Sequence, residues 1–152
     1  MWSRCEAGPF SFHGEDSILF RNESDRFDTG IFAMSSAADT IFALSSGGLP
    51  SGVAVIRLSG VQSREVIARM CGTVPAPRHA ALRSIRGRNG DVLDEGIVLF
   101  FPGPHSFTGE DSAELQIHGG RATVKAVLAA LAEFEGMRAA EAGEFSRRAF
   151  LN

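Results

Sequence analysis

Cysteine is scarce in this 152-residue chain: Cys5 and Cys71 are its two, with no CxxC spacing and no histidine cluster beside them. A disulfide framework or a cysteine-based zinc site is therefore not what organises it. No run approaches the roughly 20 apolar residues of a membrane-spanning helix. The opening MWSRCEAGPF lacks the apolar core of a signal peptide. Lysine occurs once, as Lys125 after Val124, so no GxxxxGK[ST] phosphate loop is present. A GxSxG nucleophile elbow is missing as well. These absences predict a reduced, cytoplasmic setting with no membrane contact, and a stretch that does not hydrolyse nucleotides by itself.

What remains is the composition of a globular protein, 44% hydrophobic and 22% charged. The length suits one domain with a sizeable core. The net charge of −3 is unevenly placed: residues 1–33 carry six acids and three bases, whereas 34–152 carry twelve of each. The larger part has no gross electrostatic signature for a phosphate backbone. A local basic stretch, Arg78, His79, Arg83, Arg86 and Arg88, reads as a solvated strand and loop in preference to an RNA contact. His79 and His105 read as surface histidines in polar loops.

The organising stretch is GPHSFTGEDSAELQIHGG, residues 103–120. A Gly-Pro turn and a polar knot from Ser106 to Asp111 lead into a period-two alternation, which predicts a half-buried strand. Ala113, Leu115 and Ile117 then share one face, and Glu114, Gln116 and His118 the other. Such a polar face lies on solvent or lines a site. Gly119-Gly120 predicts a sharp turn with close backbone approach. The helix over 122–134 follows at once, with Val124, Val127, Leu128 and Leu131 on its apolar face. Its first amides can bind an anion, but Gly-Gly before a helix is a weak signal for that, and tight helix–sheet packing is the ordinary reason for it.

The flanking chain alternates strands and helices. Strands are predicted at 39–44 and 53–58, the second buried on both faces, with the Gly/Pro-rich loop 45–52 between them. Ser59-Gly60 starts a helix ending near Gly72. Runs 81–86 and 92–101 form a hairpin around Asn89-Gly90, and Ile97–Phe101 reads as a central strand. A short strand over 137–140 precedes a helical segment, 143–152, with Glu144, Arg147 and Arg148 outward and Phe145 and Phe150 packed. Arg57 is conspicuous at the end of an apolar strand; a carboxylate partner is the ordinary reason for such an arginine.

Four collinear blocks carry a resemblance: DTIFALSSGGLPSGVAVIRLSG at 39–60, LDEGIVLFFPGPHSFTGED at 93–111, SFTGEDSAELQIHGG at 106–120 and GEFSRRAFLN at 143–152. Together they resemble the amino-terminal domain of the MnmE/TrmE family of tRNA-modification GTPases, over roughly 38–152. The resemblance implies an α+β fold, a mixed β-sheet flanked by helices, similar to one half of an aminomethyltransferase-type folate-binding domain. It implies that Arg57 and Glu114 bind a tetrahydrofolate derivative. The Arg57 guanidinium offers a planar fork to a carboxylate or pterin carbonyl, and Glu114 accepts hydrogen bonds from the amino and N–H edge of a pterin. Glu110, Asp111 and His118 are second-tier candidates that support the loop. A further family ligand, a lysine, would fall just past Asn152.

The same resemblance implies a homodimer formed through this domain, with a flavin-dependent MnmG-type partner and tRNA in the full assembly. Folate supplies the one-carbon unit for wobble-uridine modification. GTP, magnesium and potassium belong to a GTPase domain downstream, so the stretch reads as an amino-terminal piece. Two alternatives stay open: an aminomethyltransferase-like folate enzyme, which needs a second homologous half, and a scaffold that dimerises or docks without folate. Residues 1–33 fall outside the family pattern and are expected to be an extension, disordered or loosely packed. They hold GPFSFHGEDS at 8–17, identical at eight of ten positions to GPHSFTGEDS at 103–112. That echo reads as chance, partial duplication or a start placed upstream of Met34, in preference to a second site.

Overall fold

The computed structural model describes residues 39–152; the expectations for the extension 1–33 and for its echo lie outside the described residues. Nine elements run in order: β1 (Thr40–Leu44), β2 (Ser51–Ser59), α1 (Ser63–Cys71), β3 (Ala81–Arg86), β4 (Val92–Phe101), β5 (Ser112–Gly119), α2 (Arg121–Ala132), β6 (Met137–Ala139) and α3 (Glu144–Leu151). The six strands form one sheet in the order β3-β4-β5-β2-β1-β6. Every neighbouring pair is antiparallel except β1 with β6, which is parallel and makes the sheet mixed. The α+β fold read from the sequence is the fold observed.

The alternation in β5 sets the two faces. Ala113, Leu115 and Ile117 are buried, and each stands opposite a buried β2 residue: Leu58, Ile56 and Ala54. Val98 and Phe100 of β4 extend this face. Onto it pack Val66, Ile67 and Met70 of α1 and Val124, Val127 and Leu131 of α2, all in one core. Each such side chain contributes about 1.5–3 kcal/mol when removed from water. Gly72, at φ 78, stops α1 in the left-handed region that glycine adopts freely.

Both helices lie on that single face, which corrects the expectation for β2. Its other side, Val53, Val55 and Arg57, is not core; Val53 is 57% exposed. A continuous apolar run predicts a strand covered on both faces, but among the described residues no helix covers the second face at Val53. The hairpin forms around Asn89-Gly90, with the Gly87 amide donating to the Asp91 carbonyl at 2.9 Å. β4 is an interior strand between β3 and β5.

Gly119 owes its identity to close approach. A Cβ there would stand 2.2 Å from Ser51 Oγ and 2.4 Å from the Ser51 carbonyl oxygen, where β5 ends against the start of β2. The close approach at Gly119 is therefore strand to strand, whereas a Cβ at Gly120 would meet only Thr123 Oγ1 at 3.5 Å, an ordinary contact.

Candidate functional site

On the open face, Arg57 of β2 and Glu114 of β5 are directly opposed cross-strand residues. Arg57 Nε and Nη2 both donate to Glu114 Oε1, at 3.1 and 2.8 Å. The two side chains are 32% and 20% exposed, so the pair is half-buried and open on one side. Glu114 Oε2 keeps its accepting capacity, with no hydrogen bond among the described residues. The ordinary reason for an arginine here, a carboxylate partner, and the two residues implied by the resemblance thus converge on one pair.

A cavity of about 350 Å³ opens over this pair. Its walls include Arg57, Glu114, Arg78, Phe101 and Phe107. The Arg57 guanidinium lies 5.5 Å from the Phe107 ring centroid, and Arg78 lies 5.8 Å from that of Phe101, within cation–π range. Phe107 is 59% exposed, which leaves an aromatic surface at the cavity's edge. Apolar rings beside a few convergent polar groups, in a volume of this size, are the usual make-up of a small-molecule site.

The loop between β4 and β5 forms much of the wall and is tied down by its own polar residues. Asp111 Oδ1 accepts from the Gly103 amide at 2.9 Å. Thr108, buried, shares a 2.6 Å hydrogen bond with Ser59 and a 3.2 Å one with Ser112. Gly109, at φ 77, carries the chain past Asn152, whose Cβ would be 2.8 Å from a Cβ at that position; Asn152 Nδ2 donates to the Thr108 carbonyl at 2.8 Å.

Glu110 and Asp111 therefore act on the loop and do not line the cavity. Glu110 Oε2 accepts from Ser59 at 2.7 Å and from Arg148 Nη1 at 3.0 Å. His118 is elsewhere: four residues along β5 from Glu114, its ring and backbone nitrogens meet Asp94 at 2.9 and 2.8 Å. Burial alone would raise the Asp94 carboxyl. The hydrogen bonds from the His118 amide and ring and from the Glu95 amide outweigh it and hold the group below its usual value. Cys71 is a core side chain, its thiol pushed up to about 11 by burial, with Arg83 acting the other way.

Arg148 leads to a second charged cluster, which corrects the expectation for α3. Glu144 and Arg148 are 1% and 7% exposed, whereas Phe150 is 89% exposed. Arg138 of β6 donates to Glu144 at 2.6 and 2.8 Å, Arg148 Nη2 donates to Glu144 at 3.2 Å, and Arg148 Nη1 reaches the Asp39 carbonyl at 2.9 Å. The inward face of α3 meets a sheet edge and a polar loop, so charges on that face find partners that apolar groups could not satisfy.

The Arg138 hydrogen bonds outweigh burial and hold the Glu144 carboxyl down to about 2, against an ordinary 4.5. A depressed pKa contributes stability that is complete above about 4.5 and is lost as pH falls toward about 2. Thermal unfolding should therefore show a steeper loss of stability between pH 5 and 2 for the wild type than for Glu144→Gln. The difference is expected to be on the order of 2–3 kcal/mol. Parallel profiles would remove Glu144 from the acid response.

Of the residues that line this cavity, the sequence reading named Arg57 and Glu114 as candidates and did not name Arg78, Phe101 or Phe107. Arg78 sat in a basic stretch that resembled a solvated face, and nothing local in the sequence says that a loop brings Phe107 over Arg57.

The family described as "GTP-binding protein TrmE N-terminus" matches residues 40–152. The tRNA modification GTPase MnmE of Brucella canis is 64% identical over 114 residues, covering 75% of this chain and 26% of the relative. That of Rhizobium meliloti is 62% identical over 116 residues, with 76% and 26% covered, and that of Sinorhizobium medicae is 62% identical over 114, with 75% and 26%. The chain thus spans about a quarter of the length of these curated relatives. From β1 to the end of α3 the match is unbroken, and the chain belongs to the MnmE/TrmE family, corresponding to its amino-terminal domain.

Proposed function

We propose that this domain binds a tetrahydrofolate derivative in the cavity over the Arg57–Glu114 pair and serves as the one-carbon module of a tRNA-modifying GTPase. The observation that carries the reading is the pair itself, two complementary hydrogen-bonding groups side by side beneath a cavity with aromatic walls. Glu114 has an oxygen available for the donor edge of a pterin, and Arg57 retains donors for its carbonyl. The bound folate supplies the one-carbon unit. This chain's residues bind and orient it, and Phe107 and Phe101 offer apolar surface to its rings.

The wider setting belongs to the same proposal. The domain acts within a cytoplasmic protein that modifies wobble uridine in tRNA together with a flavin-dependent MnmG-type partner. GTP, magnesium and potassium are used by a separate GTPase domain of the longer protein. Homodimerisation has its own support: Val53, Leu82 and Ile97 are apolar residues on the open sheet face at 57%, 63% and 39% exposure, which a second copy would cover. Among the described residues no helix is long and apolar enough to cross a membrane.

Glu114→Gln separates folate binding from scaffolding. A half-exposed ion pair adds little stability, about 0–1 kcal/mol, so the variant should unfold and self-associate like the wild type. Its affinity for 5-formyltetrahydrofolate should fall by about 1–3 kcal/mol, read by calorimetry beside sedimentation of both proteins. Unchanged affinity would leave a dimerisation or docking scaffold as the better account.

A further inference from the structure

The cavity holds two guanidinium groups and one carboxylate. Arg57 is matched by Glu114. Arg78 lines the same cavity and has no carboxylate partner among the described residues.

Its placement is specified all the same. Arg78 has φ 63, the one non-glycine residue among those described in the left-handed region, a conformation that costs roughly 1–2 kcal/mol for a residue with a side chain. Its amide donates to the Phe100 carbonyl at 2.9 Å, which hangs the 73–80 connector on β4. The guanidinium stands by the Phe101 ring and donates to the His105 carbonyl. These contacts orient the group but neutralise none of its charge. A guanidinium has five N–H donors in a planar fork, and the fork matches a carboxylate.

We infer that Arg78 is a specificity-determining residue that receives a carboxylate of the ligand, the glutamyl end of a reduced folate. The inference rests on the folate reading and deepens it. A reduced folate has an uncharged pterin at one end and carboxylates at the other. The balanced Arg57–Glu114 pair suits the first, and the unbalanced Arg78 suits the second. Discrimination between folates and plain pterins then resides in one side chain.

Three ligands and two variants test it: 5-formyltetrahydrofolate, 6-methyltetrahydropterin, which has no carboxylate, and p-aminobenzoylglutamate, which has no pterin, each titrated into wild type, Arg78→Gln and Arg78→Lys. Wild type should bind the folate at least tenfold tighter than the tetrahydropterin. Arg78→Gln should weaken the folate by roughly ten- to a hundredfold, remove p-aminobenzoylglutamate binding and leave the tetrahydropterin unchanged. Arg78→Lys, with charge but no fork, should fall between. Equal wild-type affinity for folate and tetrahydropterin overturns the inference without need of a variant that folds. So does an Arg78→Gln effect that is absent or equal on both. In each case folate binding itself would stand. Inorganic phosphate displacing p-aminobenzoylglutamate at comparable concentration would reassign Arg78 to phosphate recognition. No saturation by any of the three ligands would overturn both readings.

Discussion

Arg148→Ala is expected to lower the free energy of unfolding by about 3–5 kcal/mol, the cost of breaking a buried ion cluster from one side. Arg148 is 7% exposed and contacts Glu110 and Glu144 with its side chain and the Asp39 carbonyl with the same guanidinium. Its removal takes from Glu110 and Glu144 the cation they share, and Glu144 is buried at 1% exposure. The loss should appear as a lower urea midpoint with little change in slope. It should also loosen the loop that forms the cavity wall, because Glu110 adds a bond to Ser59 beside the direct one from Thr108. Arg148→Met, which keeps most of the volume but not the charge, is expected to be nearly as costly, since the carboxylates remain. A loss under 1 kcal/mol for both variants would show that the cluster is solvated in the native state.

Phe100→Ala should cost about 3–5 kcal/mol by a different mechanism, the loss of a large buried ring and the cavity left behind. Phe100 is 0% exposed, sits in the core that α1 and α2 share, and lies 5.5 Å from the Arg64 guanidinium. Its carbonyl also holds the Arg78 amide, so the strand that anchors the core anchors one wall of the site. The same urea experiment measures it. Because Phe100 and Arg148 share no hydrogen-bond, ion-pair or ring partner among the described residues, the double variant should lose close to the sum of the two.

These two residues mark what could and could not be read in advance. Phe100 lies in the most apolar run of the chain, so a core strand there was legible, but the strand's period of two decides its burial, since Ile97 of the same run is 39% exposed and Phe101 lines the cavity. The faces of β5 were legible for a similar reason: with a period of two, assigning Leu115 inward leaves no freedom for Glu114. Arg57 and Glu114 were found through the resemblance, and the register that makes them opposite neighbours depends on β2 pairing with β5 across more than fifty residues of chain, which no local pattern encodes. α3 was misjudged because apolar residues were assigned to the inner face. Glu144 and Arg148 sit four apart on one side of that helix, and their partners, Arg138 and Glu110, come from β6 and from the loop before β5. The burial of a charge is decided by where its counter-charge arrives, and that is a property of the tertiary structure. The one-sided coverage of β2 was missed on the same ground: Val53 and Val55 are as apolar as a core strand requires, but α1 and α2 both settle on the opposite face.

The central claim, that the Arg57–Glu114 pair is the floor of a folate site, is tested most directly by titrating the chain with 5-formyltetrahydrofolate in a calorimeter, beside Arg57→Ala. The account predicts saturable binding near one folate per chain, weakened at least tenfold in Arg57→Ala with no comparable loss of thermal stability. Saturable binding that Arg57→Ala leaves untouched would contradict it, as would the absence of any binding by a folded wild-type protein.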